Sequence, residues 1–452
     1  MATAFLVLDL GFGDSGKGTT VDFLCRERSV DWIVRFNGGG QAGHNVVLPD
    51  GRHHTFSQFG AGSFLPSIRT YLGPDVVVHP GALLVEAEIL SGKSVASPLA
   101  RLALSPACLI TTPFHQSLGR LRELARGAAA HGTCGVGVGE TVRDSLSAGA
   151  SSLRAHHLAS SAAHLRDRVH TIRDRLLPHA LALLQKCPSS EPVALESALF
   201  SQAQVVDRWL TQIEPLREAI RAGLLRLDDG SIAHRIASGN QDIVFEGAQG
   251  ILLDEDCGFH PHTTWSRCTD HNARAWLNTH SFQGSIHRIG VLRTYMTRHG
   301  QGPLPSEQRA LGAELPEPHN SGDGWQGAFR RGSPDPLLWR YAIRANGGVD
   351  SLALTHADAL AESFRLVSAY TSRDSTLLDA SGELRAMPRA DLSARERQTK
   401  ALAQVKVEFA TPPTDIADAI SGALDTPISI LSSGPRYDDK VQMSPFLTRA
   451  SG

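Results

Sequence analysis

The chain has 452 residues, 41% hydrophobic and 20% charged, with a formal net charge of -2. That is ample for a large core, and the charge balance gives no general attraction for nucleic acid or an anionic membrane. No apolar stretch reaches the ~18–20 residues of a membrane span, no basic-then-apolar leader opens the chain, and the six cysteines form no C-x-x-C pair, so a cytoplasmic protein with free thiols is expected.

Runs rich in Val, Ile or Leu recur at Ala4–Leu10, Trp32–Phe36, Thr70–Leu72, Asp242–Phe245, Ser285–Arg293, Ser351–Leu354, Phe364–Ala369 and Pro427–Leu431. Segments able to form helices separate them, an alternation that predicts an α/β fold with a large, mainly parallel central sheet flanked by helices. Residues 150–240, rich in Ala, Leu, Arg and His, read as a helical excursion from a single domain spanning 1–452. Residues 385–400 read as an exposed helix or loop.

The first run ends in Gly11-Phe-Gly-Asp-Ser-Gly-Lys-Gly18. Glycines let backbone N–H groups approach phosphate oxygens, and the following helix adds its positive end, so a P-loop-like nucleotide site is predicted. Gly11, Gly16 and Lys17 nearly satisfy G-x-x-x-x-G-K-[ST], but Gly18 stands where a hydroxyl would hold Mg²⁺. Asp14 is then the better candidate for metal or proton chemistry. The second run leads into Asn37–Asn45, where His44 is a candidate acid for a leaving phosphate oxygen. The segment His131–Glu140 is a second phosphate loop offering Thr133, or else a plain surface loop. Phe245–Gly250 closes an apolar strand with Gln249, whose amide suits a ring carbonyl and N–H. Arg330 and Arg331 suit bidentate carboxylate binding. Asp358 suits a guanine edge, and the turn Ser432–Pro435 suits a purine face.

Taken in order, these segments resemble the adenylosuccinate synthetase family, over nearly the whole chain. The strongest matches are Gly13–Gly18, Ala42-Gly43-His44, Phe245–Gly250 with Leu252-Leu253-Asp254, Thr297–Pro305 and Ser433-Gly434-Pro435. The resemblance implies a ligase that joins L-aspartate to C6 of a 6-oxopurine mononucleotide through a 6-phosphoryl intermediate, with IMP as acceptor and GTP as donor. It implies that Asp14 is the base on N1–H and a Mg²⁺ ligand with the Gly43 carbonyl, and that His44 stabilises charge at the β–γ bridge. Lys17 and backbone amides would clamp the phosphates, with Gly13, Ser15, Gly16, Gly18, Thr19 and Gln41 around the nucleotides. Thr133, Gln249 and Thr264 would hold the mononucleotide, and Arg330 and Arg331 the aspartate carboxylates. Asp358, Ser433 and Gly434 would hold the base of the triphosphate.

The sequence also departs from that family. Ser15 replaces a Glu, Gln41 an Asn, Val136 an Arg, and His356 the Lys beside the base-reading Asp, which leaves GTP against ATP open. Ala148 falls near an arginine that the family donates to a neighbouring subunit, for which Arg154 can substitute; a homodimer is implied. Several of these changes, with Trp265–Thr269, resemble the branch that acts on dGMP to make a 2-aminoadenine precursor, and a smaller Ser15 would leave room for a 2-amino group. Phage members of that branch replace the acid that this chain keeps at Asp14. Two other classes compete: a catalytically weak nucleotide-binding paralogue, favoured by the lost arginines, and an ordinary P-loop NTPase, opposed by the missing hydroxyl and the lack of a clear Walker-B acid.

Overall fold

Every residue of the strand Thr3–Asp9 (β1) is buried, which is why its sequence is apolar at successive positions instead of alternating. Successive side chains still point to opposite faces: Phe5 and Val7 join one core cluster with Val21 and Leu24, while Ala4, Leu6 and Leu8 join another with Trp276 and Leu338. The computed structural model describes residues 2–315, 317, 325–359, 364–411, 414–444 and 446.

The central sheet has ten strands. After β1 they are Val30–Arg35 (β2), Arg69–Leu72 (β3), Leu102–Leu104 (β4), Arg226–Leu227 (β5), Asp242–Glu246 (β6), Ser285–Arg293 (β7), Ser351–Thr355 (β8), Ile428–Ser432 (β9) and Lys440–Gln442 (β10). Their spatial order is β10-β9-β8-β7-β1-β6-β2-β3-β4-β5. Every neighbouring pair is parallel except β9 with β10. β1 therefore lies between β6 and β7, far from both in sequence, and the chain leaves its C-terminal end toward one side of the sheet while β7 leads to the other. A crevice outside the strand ends at such a switch is where parallel α/β sheets bind ligands.

Seven of the eight strand-like runs form central strands. The eighth, at Phe364–Ala369, supplies Val367–Thr371, which pairs antiparallel with Lys406–Phe409 in a separate two-stranded sheet. Between 150 and 240 the helices Ala162–Leu184, Glu191–Ser201, Val205–Arg221 and Ser231–Ser238 dominate, interrupted by β5 at the sheet edge. Residues 385–400 include the start of the helix Leu392–Leu402, one face of which buries Arg395, Gln398 and Thr399.

Candidate active site

The loops after β1, β2, β6, β7, β8 and β9 all emerge at the C-terminal edge of the sheet and enclose two cavities there. The larger has a volume of about 940 Å³ and the smaller about 200 Å³. Gly13, Asp14, Gly43, His44 and Asn45 line both, forming a shared wall. Asp14 and His44, thirty residues apart in sequence, are thus brought to one boundary by β1 and β2.

On the side of the smaller cavity lie Gly16, Lys17, Gly18 and Thr19, with Asp358 and Gly434 opposite. The helix Lys17–Glu27 (α1) begins there. Its cap is Gly16, in a left-handed conformation at φ 95°, and no side chain caps the first turn. The first-turn N–H groups of a helix have no acceptor within it, so α1 presents open donors and the positive end of its dipole to this cavity. Gly18 has a steric reason: a Cβ there would stand 2.7 Å from the Cβ of His44 and 2.9 Å from its carbonyl carbon. A side chain at position 18, and with it the hydroxyl of an ordinary P-loop, has no room against His44. The Thr19 hydroxyl donates to the Pro435 carbonyl at 2.9 Å, tying α1 to the turn after β9.

Around the larger cavity stand Gln41, Thr133, Gln249 and Thr264, together with His299 and Arg298. The Gln41 side-chain amide donates Nε2–H to the side-chain Oε1 of Gln249 at 3.2 Å. Gln249 at φ 57° and His356 at φ 60° are non-glycine residues in the left-handed region, and each lines a cavity. Backbone held in that region costs energy and persists where the surroundings demand it, commonly at ligand sites.

The electrostatics of the shared wall are specific. His44 Nδ1 lies 2.5 Å from Glu246 Oε1, and the other Glu246 oxygen accepts the Ala61 N–H at 3.0 Å. Burial holds His44 down to about 4, partly offset by Glu246. Burial alone would push Glu246 up, but Arg35 and His44 hold its carboxyl below the usual range. A neutral His44 therefore donates Nδ1–H to an ionised carboxylate and leaves Nε2 for the cavity. Burial raises Asp14 above its ordinary value, opposed first by His299, whose Nε2 lies 3.6 Å away, then by Arg293 and Lys17. A carboxyl raised in this way is a stronger base once ionised. Arg293, at the end of β7, donates Nε–H to the Asp14 carbonyl and Nη1–H to Tyr295 at 2.7 Å and to Glu317.

Other expected residues lie elsewhere. Ser15 is 6% exposed, bonds Asp9 and lines neither cavity, so its small size makes no room beside a purine. Arg330 and Arg331 also line neither. Arg330 spends its fork on Glu307 and on the carbonyls of Gly300 and Gly302. Ser433 is outside the lining, although its neighbours Ser432 and Gly434 are within it. Arg154 donates to the Ala107 carbonyl of its own chain at 2.7 Å. The Thr133 N–H faces Glu123, which also takes the N–H groups of His131 and Gly132 at 2.9 Å each. Asp9, Glu246, Arg293 and His299 also border or support this site, though no motif of the sequence marks them individually. Each sits at a strand end or inside a segment already marked by glycines, which is the signal that could have found it.

A family model described as adenylosuccinate synthetase matches residues 6–441. The chain belongs to the adenylosuccinate synthetase family. It is 30% identical over 466 residues to the adenylosuccinate synthetase of Chromohalobacter salexigens, covering 99% of this chain and 100% of that one. It is 32% identical over 379 residues to that of Alkalilimnicola ehrlichii, covering 83% and 82%. The fold is shared with fully ligated adenylosuccinate synthetase from Plasmodium falciparum, at a TM-score of 0.76 and 22% identity over 97% of this chain and 99% of that one. It is shared more loosely with the succinoaminodeoxyadenylate synthetase of cyanophage S-2L, bound to dGMP and dATP, at a TM-score of 0.56 and 17% identity over 98% and 96%. The chain is thus an enzyme of a ligase family. Among the described residues no helix is long and apolar enough to cross a membrane.

Proposed function

We propose that this chain joins L-aspartate to C6 of inosine monophosphate, converting GTP to GDP and phosphate, as a cytoplasmic step of purine nucleotide synthesis. The observation that carries the reading is the shared wall: Asp14 and His44 border both cavities. The larger cavity then holds the mononucleotide and aspartate, and the smaller one the triphosphate, with its γ-phosphate at the boundary.

Asp14 takes the N1 proton of the purine, which puts negative charge on the 6-oxygen. That oxygen attacks the γ-phosphorus, forming a C6–O–P linkage and releasing the diphosphate. Phosphates in the smaller cavity favour a protonated His44, whose Nε2–H donates toward the breaking bridge while Glu246 balances the charge behind it. The neutral aspartate amine then attacks C6, the C6–O bond breaks, and phosphate leaves carrying the former 6-oxygen, while the proton shed by the new C6–N bond passes to the departing phosphate. Hydroxide is a poor leaving group at neutral pH and phosphate a good one, so positioning and charge neutralisation do most of the work.

Mg²⁺ fits the donor set. The Asp14 carboxylate and Gly43 carbonyl are hard oxygen ligands, and the described residues hold no cluster of three or more His, Cys, Asp or Glu that would make a closed metal cage. Its other ligands would be phosphate oxygens and water, and bound there it would neutralise phosphate charge. Thr133, Gln249 and Thr264 contact the mononucleotide; Asp358 and Gly434 contact the guanine, and Ser433 shapes the turn between the lining residues Ser432 and Gly434. Aspartate binding requires Arg330 to exchange Glu307 for a substrate carboxylate, and Arg331 to turn into the cavity beside it. Leu146 and Trp265, exposed on the larger cavity's lining, suit coverage by a second copy in a homodimer.

The test is turnover of IMP with GTP, Mg²⁺ and aspartate, read by product mass, in the wild type and in Asp14→Asn and His44→Gln. Both variants should stay folded by circular dichroism and lose at least ~10²-fold in kcat. Near-normal turnover in either variant would remove that residue from its assigned role.

A further inference from the structure

The glycine loop after β1 is already occupied by an anion of its own chain. Asp9, the last residue of β1, is 1% exposed. Its Oδ1 accepts the N–H of Gly11 at 2.8 Å, the N–H of Gly13 at 3.3 Å and the hydroxyl of Ser15 at 2.9 Å. Its Oδ2 accepts the N–H of Ser15 at 3.0 Å and the ammonium of Lys17 at 2.9 Å. A ring of converging backbone N–H groups is the arrangement that binds a phosphate in a nucleotide loop. Here a carboxylate fills it, so these three amides have no donor left for a ligand.

Lys17 is fixed by the same contact. Its side chain is 1% exposed, and besides Asp9 it donates to the Gly13 carbonyl at 2.6 Å. An ammonium has three N–H donors. Two are spent on Asp9 and Gly13, and Lys17 lines the smaller cavity, so one remains for a phosphate oxygen.

We infer that Asp9 is a positioning residue for phosphoryl transfer: it closes the loop before any nucleotide arrives and aims the remaining donor of Lys17. Triphosphate is accordingly read by Lys17 and by the open first turn of α1, and not by the loop amides of Gly11, Gly13 and Ser15. Ser15 has its reason in the same ring, since its hydroxyl and N–H both go to Asp9. The inference rests on the smaller cavity being the triphosphate site.

Two measurements test it. In the nucleotide-free wild type, hydrogen exchange should show the amides of Gly11, Gly13 and Ser15 protected, with little added protection when GTP and Mg²⁺ bind. Amides open in the free protein and protected only by nucleotide would overturn the inference, whatever the enzyme's acceptor. The second is a double-mutant cycle of Asp9→Asn with Lys17→Gln in the full-length enzyme. Asp9→Asn should lower kcat by ~10- to 100-fold with the KM for IMP within about twofold of wild type, and should cost little further in the Lys17→Gln background. Multiplicative losses, or wild-type kcat in Asp9→Asn, would contradict it. A wild type inactive with every purine mononucleotide would strike the proposed function, while leaving the exchange result to decide the role of Asp9 in the loop.

Discussion

At position 18 a single missing atom decides which nucleotide chemistry the loop supports. The glycine lets His44 pack against the first turn of α1, and this contact sets the imidazole on the wall between the cavities. Gly18→Ser would complete the usual P-loop pattern in sequence, yet its Cβ meets backbone that cannot move freely. Overpacking of this kind should destabilise by about 1–3 kcal/mol and cut turnover sharply; a melting curve and the product assay check both. Acid acts on the same histidine. Burial holds His44 at about 4 and His356 at about 3, against 6.5 in the unfolded chain. The unfolded state therefore binds more protons in between, and the stability these neutral rings confer, complete above pH 6.5, is lost as pH falls toward about 4. Asp335, raised by burial to about 6 from 3.8, works oppositely, its contribution fading as pH rises through 6. The clean comparison is thus between proteins: on going from pH 6.5 to 4.5 the wild type should lose more melting temperature than His44→Gln. An equal loss in both would mean that His44 is not held neutral.

Among the elements, the long central strands were legible because both of their faces are buried, which writes a continuous apolar run into β1, β8 and the Ile289–Leu292 half of β7. The strands β4, β5 and β10 were not legible: β4 is apolar and buried but only three residues long, too short to stand out as a run, while β5 and β10 are short, mostly polar strands at the two sheet edges. The run at Phe364–Ala369 shows a different limit. Its strand character was readable, but its partner, Lys406–Phe409, is polar and largely exposed, so nothing in the run showed that it pairs outside the central sheet. The site residues divide in the same way. Asp14, Lys17 and His44 sit beside glycines that punctuate the sequence, whereas Glu246 and Arg293 are polar ends of apolar strands, and only the order of the strands reveals what they face. Arg293 also has a structural role, since its buried guanidinium joins the Asp14 carbonyl, Tyr295 and Glu317. Arg293→Leu removes the guanidinium that joins these three groups and should destabilise by about 3 kcal/mol, measurable by denaturant unfolding. A variant as stable as the wild type would show that the network contributes little.

For the molecule as a whole, one parallel sheet collects six loops at one edge, and those loops form two chambers with a common wall. Carboxylates from within the chain order several of these loops: Asp9 under the first glycine loop, Glu123 under the second, and Asp254 beneath the N–H groups of Asp256, Cys257 and Cys268. A scaffold closed in this way holds the reacting groups in place before substrate binds, which favours chemistry that depends on positioning. On this mechanism the γ-phosphoryl group crosses the wall between the chambers onto the purine 6-oxygen, and that oxygen then leaves in the phosphate. IMP labelled with ¹⁸O at C6, incubated with GTP, Mg²⁺ and L-aspartate, tests this directly when the released phosphate is weighed by mass spectrometry. The released phosphate should carry one ¹⁸O for each succinylated product; unlabelled phosphate, or phosphate released without aspartate at the same rate, would rule this mechanism out.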